Sequence, residues 1–245
     1  MRFENKTALI TGAAVGIGRA VAVKMAKEGA NLVLVDFNSE NLLKLAKELE
    51  FCKDRILTLV CDVSDENKAY ETVKSGLDKF GKIDILINNA ALWRDVSLFV
   101  DTPVETWKKY FDINVFGVVY FTKAVLPGMI ERKYGKIINV ASVAGVYGNR
   151  NMAHYSATKG ALISMTKSLA KEVVGSGVVV NAVSPGTVSP SDVDDMDYVQ
   201  PNELNYMART GSDNENANLI CFLASDDASY ISGQNIQIDG CRKKQ

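Results

Sequence analysis

The fold is decided by the stretch Thr11-Gly12-Ala13-Ala14-Val15-Gly16-Ile17-Gly18 of this 245-residue chain. The stretch ends a short apolar run, residues 7–11, and precedes a helical pattern over residues 18–28. Glycines at such a junction permit a tight turn and let the backbone approach a phosphate, while the helix N-terminus presents free N–H groups. The stretch therefore predicts a pyrophosphate site that includes Gly12, Val15, Gly16, Ile17 and Gly18.

Outside this stretch, short apolar runs alternate with longer segments whose apolar residues lie three and four positions apart. The alternation predicts βαβ units and a parallel sheet covered on both faces. The predicted strands are residues 7–11, 31–35, 56–61, 83–88, 136–141, 178–184 and 235–238, and the predicted helices include 18–28, 40–49, 66–80 and 155–173. We expect an α/β fold, a single Rossmann domain over residues 1–245 with a doubly wound, seven-stranded parallel sheet.

One segment, residues 187–216, interrupts the alternation, because it has little strand signal and is rich in Asp, Asn and Ser. Long irregular segments are usually functional or disordered, and ligands of such sheets bind outside the carboxyl ends of the strands. We predict a substrate lid here. Its acidic residues would disfavour an acidic carrier protein or an anionic thioester, unless they form only a solvated face. They are Asp192, Asp194, Asp195, Asp197 and Glu203.

Asp36 lies at the end of the second predicted strand, 18 residues after the last glycine of the turn. A carboxylate there can accept both ribose hydroxyls of adenosine and would repel a 2′-phosphate. Neither 13–15 nor 37–38 supplies an Arg or Lys for that phosphate. We therefore predict NAD rather than NADP, with Asp36 and Phe37 among the cofactor-binding residues. A helix-cap role for Asp36 is the alternative, although Asn38 and Ser39 are better placed to cap.

The bulk properties argue against several classes of protein. The net charge of -1 predicts no nucleic-acid or membrane partner, and one His with four Cys lacking a CxxC pair predicts no metal site. The most apolar stretch, 115–130, is interrupted by Lys123 and Pro127, and the chain enters its first strand without a cleavable leader. We expect a cytoplasmic protein with reduced cysteines.

Tyr155 and Lys159 lie four residues apart in a predicted helix, which places both side chains on one face. A phenol with its ordinary pKa of about 10 is a poor base at neutral pH, and a nearby cation lowers the pKa toward the working range. The pair can therefore serve as an acid/base unit, although the same spacing also occurs on helices without catalytic function.

These motifs together resemble the short-chain dehydrogenase/reductase family over nearly the whole chain, with similarity to members that act as 3-oxoacyl carrier reductases and hydroxysteroid dehydrogenases. The resemblance rests on the glycine-rich turn, Asn88-Asn89-Ala90-Ala91, Asn114, Ser142, Tyr155-x-x-x-Lys159 and Pro185-Gly186, in that order. It implies that Tyr155 is the general acid/base and that Ser142 hydrogen-bonds the substrate oxygen. It also implies that Lys159 binds the nicotinamide ribose while lowering the Tyr155 pKa, and that Asn114 holds a water on the proton path.

The resemblance further implies cofactor contacts along the carboxyl edge of the sheet. Asp62 and Val63 would lie beside the adenine, Asn89 and Ala90 under the adenosine ribose, and Pro185, Gly186 and Val188 around the nicotinamide.

The sequence departs from the family pattern in two places. Ala91 replaces a usual Gly, and Pro190 stands where a Thr commonly contacts the cofactor. Proline cannot donate that hydrogen bond, so Ser189 or Ser191 would have to substitute.

Aromatic and thioether side chains flank the predicted catalytic positions and suggest a pocket for an apolar, flat substrate, with core or interface packing as the alternative. These residues are Trp93, Arg94, Tyr147, Met152, His154, Tyr198, Tyr206 and Met207. A neighbour of Tyr155 on a helix points to another face, so His154 is predicted to be structural.

The resulting hypothesis is an NAD-dependent oxidoreductase that transfers hydride between nicotinamide and a small-molecule secondary alcohol or ketone, such as a hydroxysteroid, a polyol or sugar, or a 3-hydroxy compound. The alternatives are a 3-oxoacyl carrier reductase, a non-catalytic dinucleotide-binding regulator and a sugar-nucleotide epimerase, although an epimerase generally needs a larger substrate domain. The resemblance implies a homo-oligomer, dimer or tetramer. The basic residues Arg242, Lys243 and Lys244 are predicted to be a solvated end.

Overall fold

A parallel sheet of seven strands organises the molecule, in a computed structural model that describes residues 1–189 and 193–243. The strand order is β3-β2-β1-β4-β5-β6-β7, and each neighbouring pair is parallel. The strands are β1 (Thr7–Thr11), β2 (Asn31–Asp36), β3 (Ile56–Val60), β4 (Ile85–Asn88), β5 (Gly135–Val140), β6 (Val178–Pro185) and β7 (Asn235–Ile238). Because the chain changes direction across the sheet between β1 and β4, a ligand crevice is expected at their carboxyl ends.

Helices cover both faces of this sheet, which confirms the doubly wound fold. They are α1 (Gly16–Lys27), α2 (Ser39–Glu48), α3 (Glu66–Phe80), α4 (Val104–Phe111), α5 (Gly117–Glu131), α6 (Ala144–Tyr147), α7 (Ala153–Val173) and α8 (Asp213–Leu223). Successive strand residues point to opposite faces. In β1, Ala8 and Ile10 pack with α1, α2 and α8, whereas Leu9 packs with α3, α5 and α7.

Three predicted boundaries are wrong by two residues. Helix α1 begins at Gly16 rather than Gly18, and α7 begins at Ala153 rather than Tyr155. Strand β4 begins at Ile85 rather than Ile83, because the preceding Asp84 bonds to β1 partly through its side chain: its Oδ2 accepts from the Thr7 N–H at 3.0 Å. Hydrophobic period alone does not reveal such end effects.

One helix of the described part, Val104–Glu131, is long and apolar enough by length and composition to cross a membrane. It consists of α4, a π-helical turn (Asp112–Phe116) and α5. Phe121, Val125 and Met129 of this helix are buried against the sheet, as in the core helix of an α/β protein. Its outer face leaves Phe116 46% and Ile130 40% exposed.

Candidate active site

The glycine-rich turn between β1 and α1 has room only for glycine at two of its positions. Gly12 has a φ of +61°, and a Cβ there would lie 2.8 Å from the Ala90 Cα. A Cβ at Gly18 would overlap the Gly12 carbonyl oxygen. The turn therefore forms a narrow cradle at the N-terminus of α1, where free N–H groups favour an anion.

Thr11 and Asn89 hold this cradle against the end of β4. The Asn89 side-chain amide donates to the carbonyl oxygens of Thr11 at 3.1 Å and of Gly12 at 2.9 Å. In return, the Thr11 hydroxyl oxygen accepts from the N–H groups of Asn89 at 3.1 Å and Ala90 at 3.2 Å. Asn89, which was predicted to lie under the adenosine ribose, thus also holds the shape of the glycine-rich turn. Sequence reasoning missed Thr11, since one threonine at a strand end carries no distinctive signal.

Asp36 is buried at the end of β2 and is attached to the same turn. Its Oδ2 accepts from the Ala14 N–H at 3.0 Å, and its Oδ1 accepts from the Asn38 N–H at 3.0 Å. Asn38, not Asp36, caps α2, because the Asn38 Oδ1 accepts from the Asn41 N–H at 3.0 Å. A carboxylate oxygen can accept a second hydrogen bond, so Asp36 can still receive hydroxyl groups. Phe37 beside it is 77% exposed.

The other predicted adenosine contacts lie along the same edge of the sheet. Asp62 follows β3, and its Oδ1 accepts from the Ser64 N–H at 3.0 Å and hydroxyl at 2.7 Å. Val63 is buried against the start of α5, where a Cβ at Gly117 would lie 3.0 Å from the Val63 carbonyl oxygen. Val15 of the glycine-rich turn is 38% exposed, whereas Ile17 packs on the core.

The predicted nicotinamide contacts follow β6. Gly186 donates its N–H to the Ile238 carbonyl at 2.9 Å, and Val188 pairs with Gly211. Pro185 is the last residue of β6. Pro190 and Ser191 lie outside the described residues. Ser189 is buried and its hydroxyl donates to the Tyr198 carbonyl at 2.7 Å, so this side chain is occupied within the segment predicted as the lid.

Three of the four predicted catalytic side chains converge at the carboxyl end of β5. Ser142 follows this strand, and its Oγ accepts from the Ala144 N–H at 3.1 Å. Tyr155 and Lys159 lie one turn apart on α7, with the Lys159 Nζ 5.8 Å from the centre of the Tyr155 ring. The Lys159 Nζ also donates to the Val140 carbonyl at 2.7 Å, which fixes the ammonium beneath the phenol.

Burial shifts the pKa values of this pair toward the neutral forms. It lowers the pKa of Lys159 to about 7, because the side chain is only 2% exposed. It raises the pKa of Tyr155, and a hydrogen bond from Ser142 acts in the opposite direction. Burial is the larger of these two effects on Tyr155, so the hydrogen bond from Ser142 offsets it only in part.

Asn114 lies in the π-helical turn, and its side chain is occupied by protein partners. Its Oδ1 accepts from the Leu92 N–H at 2.7 Å, and its Nδ2 donates to the Leu92 carbonyl at 2.9 Å and the Thr158 hydroxyl at 3.1 Å. Its side chain therefore ties the loop after β4 to α7.

His154 has the structural role that its place on the helix predicted. It is wholly buried, 4.3 Å from Tyr110 and 6.0 Å from Trp107 between ring centres. By contrast, five of the other side chains predicted for the pocket are 39% to 73% exposed. They are Trp93, Tyr147, Tyr198, Tyr206 and Met207.

Arg242 is not part of the solvated end that the sequence predicted, whereas Lys243 is exposed and Lys244 lies outside the described residues. The Arg242 guanidinium donates from Nη2 to the Asn149 Oδ1 at 3.0 Å, in the loop that precedes the catalytic helix. Sequence reasoning missed both residues, since they are 93 positions apart and belong to no motif.

Comparison with known proteins agrees with this geometry. The sequence profile of the family described as short chain dehydrogenase matches residues 6–198. Over 243 residues the chain is 41% identical to a 3-oxoacyl-(acyl-carrier-protein) reductase of Thermotoga maritima, covering 98% of each chain. It is 37% identical to the meso-2,3-butanediol dehydrogenase of Serratia marcescens, covering 98% of this chain and 95% of that one. A crystal structure of NAD+-bound xylitol dehydrogenase has a TM-score of 0.90 and 34% identity, with 98% and 100% of the two chains covered.

Proposed function

Because this chain belongs to the short-chain dehydrogenase family and is an oxidoreductase of the CH–OH or ketone class, we propose that it uses NAD to interconvert a secondary alcohol and its ketone. The observation that carries the choice of NAD is the buried Asp36 carboxylate, hydrogen-bonded to the Ala14 N–H at the glycine-rich turn. A fixed negative charge there favours two ribose hydroxyls and repels a 2′-phosphate. The NAD+-bound relative supports the same choice.

The residues of the turn fit a dinucleotide, since a Cβ at Gly12 or Gly18 would clash with the backbone of Ala90 or Gly12. The close packing that the glycines allow leaves the N-terminus of α1 open to a pyrophosphate. When bound, the nicotinamide would accept the hydride that the carbinol carbon loses. In alcohol oxidation, Tyr155 accepts the hydroxyl proton on its phenolate oxygen. Ser142 orients the substrate oxygen, and Lys159, held by the Val140 carbonyl, stabilises the phenolate.

For the substrate, we favour a small secondary alcohol such as a polyol, or a hydroxysteroid or 3-hydroxy compound. The butanediol and xylitol dehydrogenases are similar proteins that act on small polyols. The proposed lid lies within one domain and spans residues 187–212, because the last four residues of the predicted segment, 213–216, belong to α8. Its acidic side chains Asp194, Asp195, Asp197 and Glu203 are exposed. Asp192 lies outside the described residues. Negative charge at the entrance would disfavour an acidic carrier protein.

A 3-oxoacyl carrier reductase is the second candidate, favoured by the 41% identity to such a reductase. That reaction would run as reduction, with Tyr155 donating its proton to the carbonyl oxygen.

The test is the absorbance of reduced nicotinamide, measured with NAD and NADP across polyols, hydroxysteroids, 3-hydroxyacyl thioesters and, in reverse, their ketones. We expect turnover with NAD that Tyr155→Phe abolishes. A preference for NADP would overturn the role of Asp36, and NADH binding without turnover of any substrate would favour the non-catalytic regulator.

A homo-oligomer is proposed on the exposed face of α5. Phe116, 46% exposed, stacks on Tyr120 at 6.2 Å between ring centres, and this pair extends an apolar surface along the helix. Large exposed aromatic side chains are typical of protein interfaces.

A cytoplasmic location is also proposed. All four cysteines are free thiols, as expected in a reducing compartment.

A further inference from the structure

The loop that leads into the catalytic helix is attached to the far edge of the sheet. The Tyr147 hydroxyl donates to the Gln237 Oε1 in β7 at 2.6 Å, and the Asn149 Oδ1 accepts from Arg242 at 3.0 Å. These two contacts join residues 147–152, here named the catalytic loop, to β7 and to the segment that follows it.

The catalytic loop contains one residue in a strained backbone conformation. Asn151 has a φ of +63°, which L side chains rarely adopt, whereas Gly148 adopts its φ of +77° without strain. A non-glycine residue in this region costs of order 1 kcal/mol and persists where its surroundings hold it. The loop conformation therefore depends on contacts from outside its own sequence.

Asn149 transmits the Arg242 contact to the catalytic helix. The Asn149 N–H donates to the Ser156 hydroxyl at 3.1 Å, and Ser156 is the neighbour of Tyr155 on α7. The Asn149 Nδ2 lies 4.0 Å from the Met152 sulfur at the N-terminal end of the same helix. A displacement of Asn149 would consequently move the turn that carries Tyr155.

The segment that holds Arg242 also pairs with the proposed lid. Residues 239–243, here named the strap, accept or donate three main-chain hydrogen bonds to residues 204–207. These are Tyr206 N to Cys241 O at 3.0 Å, Met207 N to Gly240 O at 3.1 Å and Lys243 N to Leu204 O at 2.9 Å. One short segment thus contacts the lid through its backbone and the catalytic loop through a side chain.

We propose that Arg242 is a positioning residue for the oxidoreductase reaction, which fixes Asn149 and thereby couples the lid to the placement of Tyr155. A guanidinium is suited to this role for two reasons. A charge-assisted hydrogen bond is stronger than a neutral one, and the long Arg242 side chain reaches Asn149 from a strap that its own backbone bonds fix in place. The proposal rests on the reaction class and on the proposed lid, and it is independent of the choice between NAD and NADP.

The experiment compares Arg242→Gln, Asn149→Ala and the double variant in steady-state kinetics, on the alcohol that the wild-type protein turns over fastest. We expect each single variant to lower kcat/KM for the alcohol by roughly fivefold to tenfold, with the double variant no worse than either single one. The affinity for NADH, measured by its fluorescence, should stay within about twofold, since the glycine-rich turn is untouched.

Lys243→Gln is the matched control. It removes one positive charge from the same strap but keeps the main-chain bond from Lys243 N to Leu204 O. We expect its kcat/KM to stay within about twofold of wild type.

Hydrogen exchange gives a readout that needs no substrate. Arg242→Gln should speed amide exchange in residues 147–152 and 204–207 but not in β1. Unchanged amide exchange in both segments would overturn the proposal. It would also be overturned if the losses in kcat/KM of the two single variants added up in the double variant. If the wild-type protein turned over no alcohol or ketone, the proposed function would fail while exchange still decided the role of Arg242.

Discussion

At the scale of single residues, the chemistry of the site depends on two buried groups of opposite type. Lys159 is a base whose charged form is its protonated one, whereas Tyr155 is charged only after it loses a proton, and burial disfavours both charges. Burial therefore favours the neutral form of each group. Each charge used in catalysis has to be stabilised by a specific partner, such as the Val140 carbonyl for Lys159.

This burial predicts a pH-dependent stability. The pKa of Lys159 is about 7 in the folded chain, whereas the ordinary value of a lysine, 10.5, applies in the unfolded chain. Between these two pH values the unfolded chain therefore binds more protons than the folded chain. The free energy of unfolding should therefore rise with pH in this window, by at most about 1.4 kcal/mol per pH unit from this group. Lys159→Met removes the titration, and wild type should gain stability relative to this variant as the pH rises from about 7 to 9.

Urea unfolding at several pH values measures this difference. Lys171→Met, at an exposed position of the same helix, is the control and should show no such trend relative to wild type. If the difference in the free energy of unfolding between wild type and Lys159→Met stayed constant from about pH 7 to 9, it would contradict the lowered pKa of the buried Lys159.

Asp36 carries the prediction about cofactor selectivity. Asp36→Ala removes the carboxylate that would accept the ribose hydroxyls and repel a 2′-phosphate, so kcat/KM with NAD should fall about tenfold and the NADP-to-NAD ratio should rise at least about tenfold. It also leaves the Ala14 and Asn38 N–H groups without this acceptor, at a cost of about 1 to 3 kcal/mol in stability. An unchanged ratio of kcat/KM values for the two cofactors would remove Asp36 from the cofactor site.

At the scale of elements, the junction of β1, α1 and β4 depends on close backbone packing. Gly18 lies against the Gly12 carbonyl, and Asn89 bonds to the same carbonyl from the end of β4. The three elements therefore meet through backbone contact and the Asn89 side-chain amide, which leaves the N-terminus of α1 open to an anion.

Gly18→Ala tests this packing. The added methyl group would displace the Gly12 carbonyl, so we expect a loss of about 1 to 3 kcal/mol in stability and at least tenfold weaker NADH binding. The control is Gly175→Ala, because a Cβ at Gly175 meets nothing within 4 Å. Thermal unfolding measures the stability and NADH fluorescence measures the binding. If Gly18→Ala and Gly175→Ala had equal stability and equal affinity for NADH, close packing at Gly18 would not be needed for the cofactor site.

At the scale of the whole molecule, the helix Val104–Glu131 packs on the core with one side and faces solvent with the other. Its inner side supplies Phe121, Val125 and Met129 to the core. Its outer side leaves Phe116 46% exposed, stacked on the half-buried Tyr120. An apolar helix of this kind passes a composition test for a membrane span, although three of its side chains are wholly or almost wholly buried against the sheet.

The proposed oligomer predicts the effect of a charge on that outer side. Phe116→Asp should lower the molar mass in solution to that of a smaller assembly, because an unpaired carboxylate would be buried at the interface. Leu43→Asp is the control, since Leu43 is 61% exposed on α2 at the other face of the sheet. Light scattering after size exclusion measures the mass, and a monomeric wild-type protein would refute the proposal.

The sequence by itself determined the strand and helix order, the glycine-rich turn and the spacing of Tyr155 and Lys159. These features depend on local periodicity, on the conformational freedom of glycine and on the helical repeat, all of which act over a few residues. Asn38 as the cap of α2 follows from the same local rules.

Only the tertiary structure decided which groups hold the site in place. The clamp of Thr11 and Asn89, the Val140 carbonyl beneath Lys159 and the contact of Arg242 with Asn149 join residues far apart in the chain. Such contacts form when the carboxyl ends of parallel strands meet at one edge, and they leave no periodic signal in the sequence. Burial, and with it the pKa of Lys159, is likewise a property of the packed molecule.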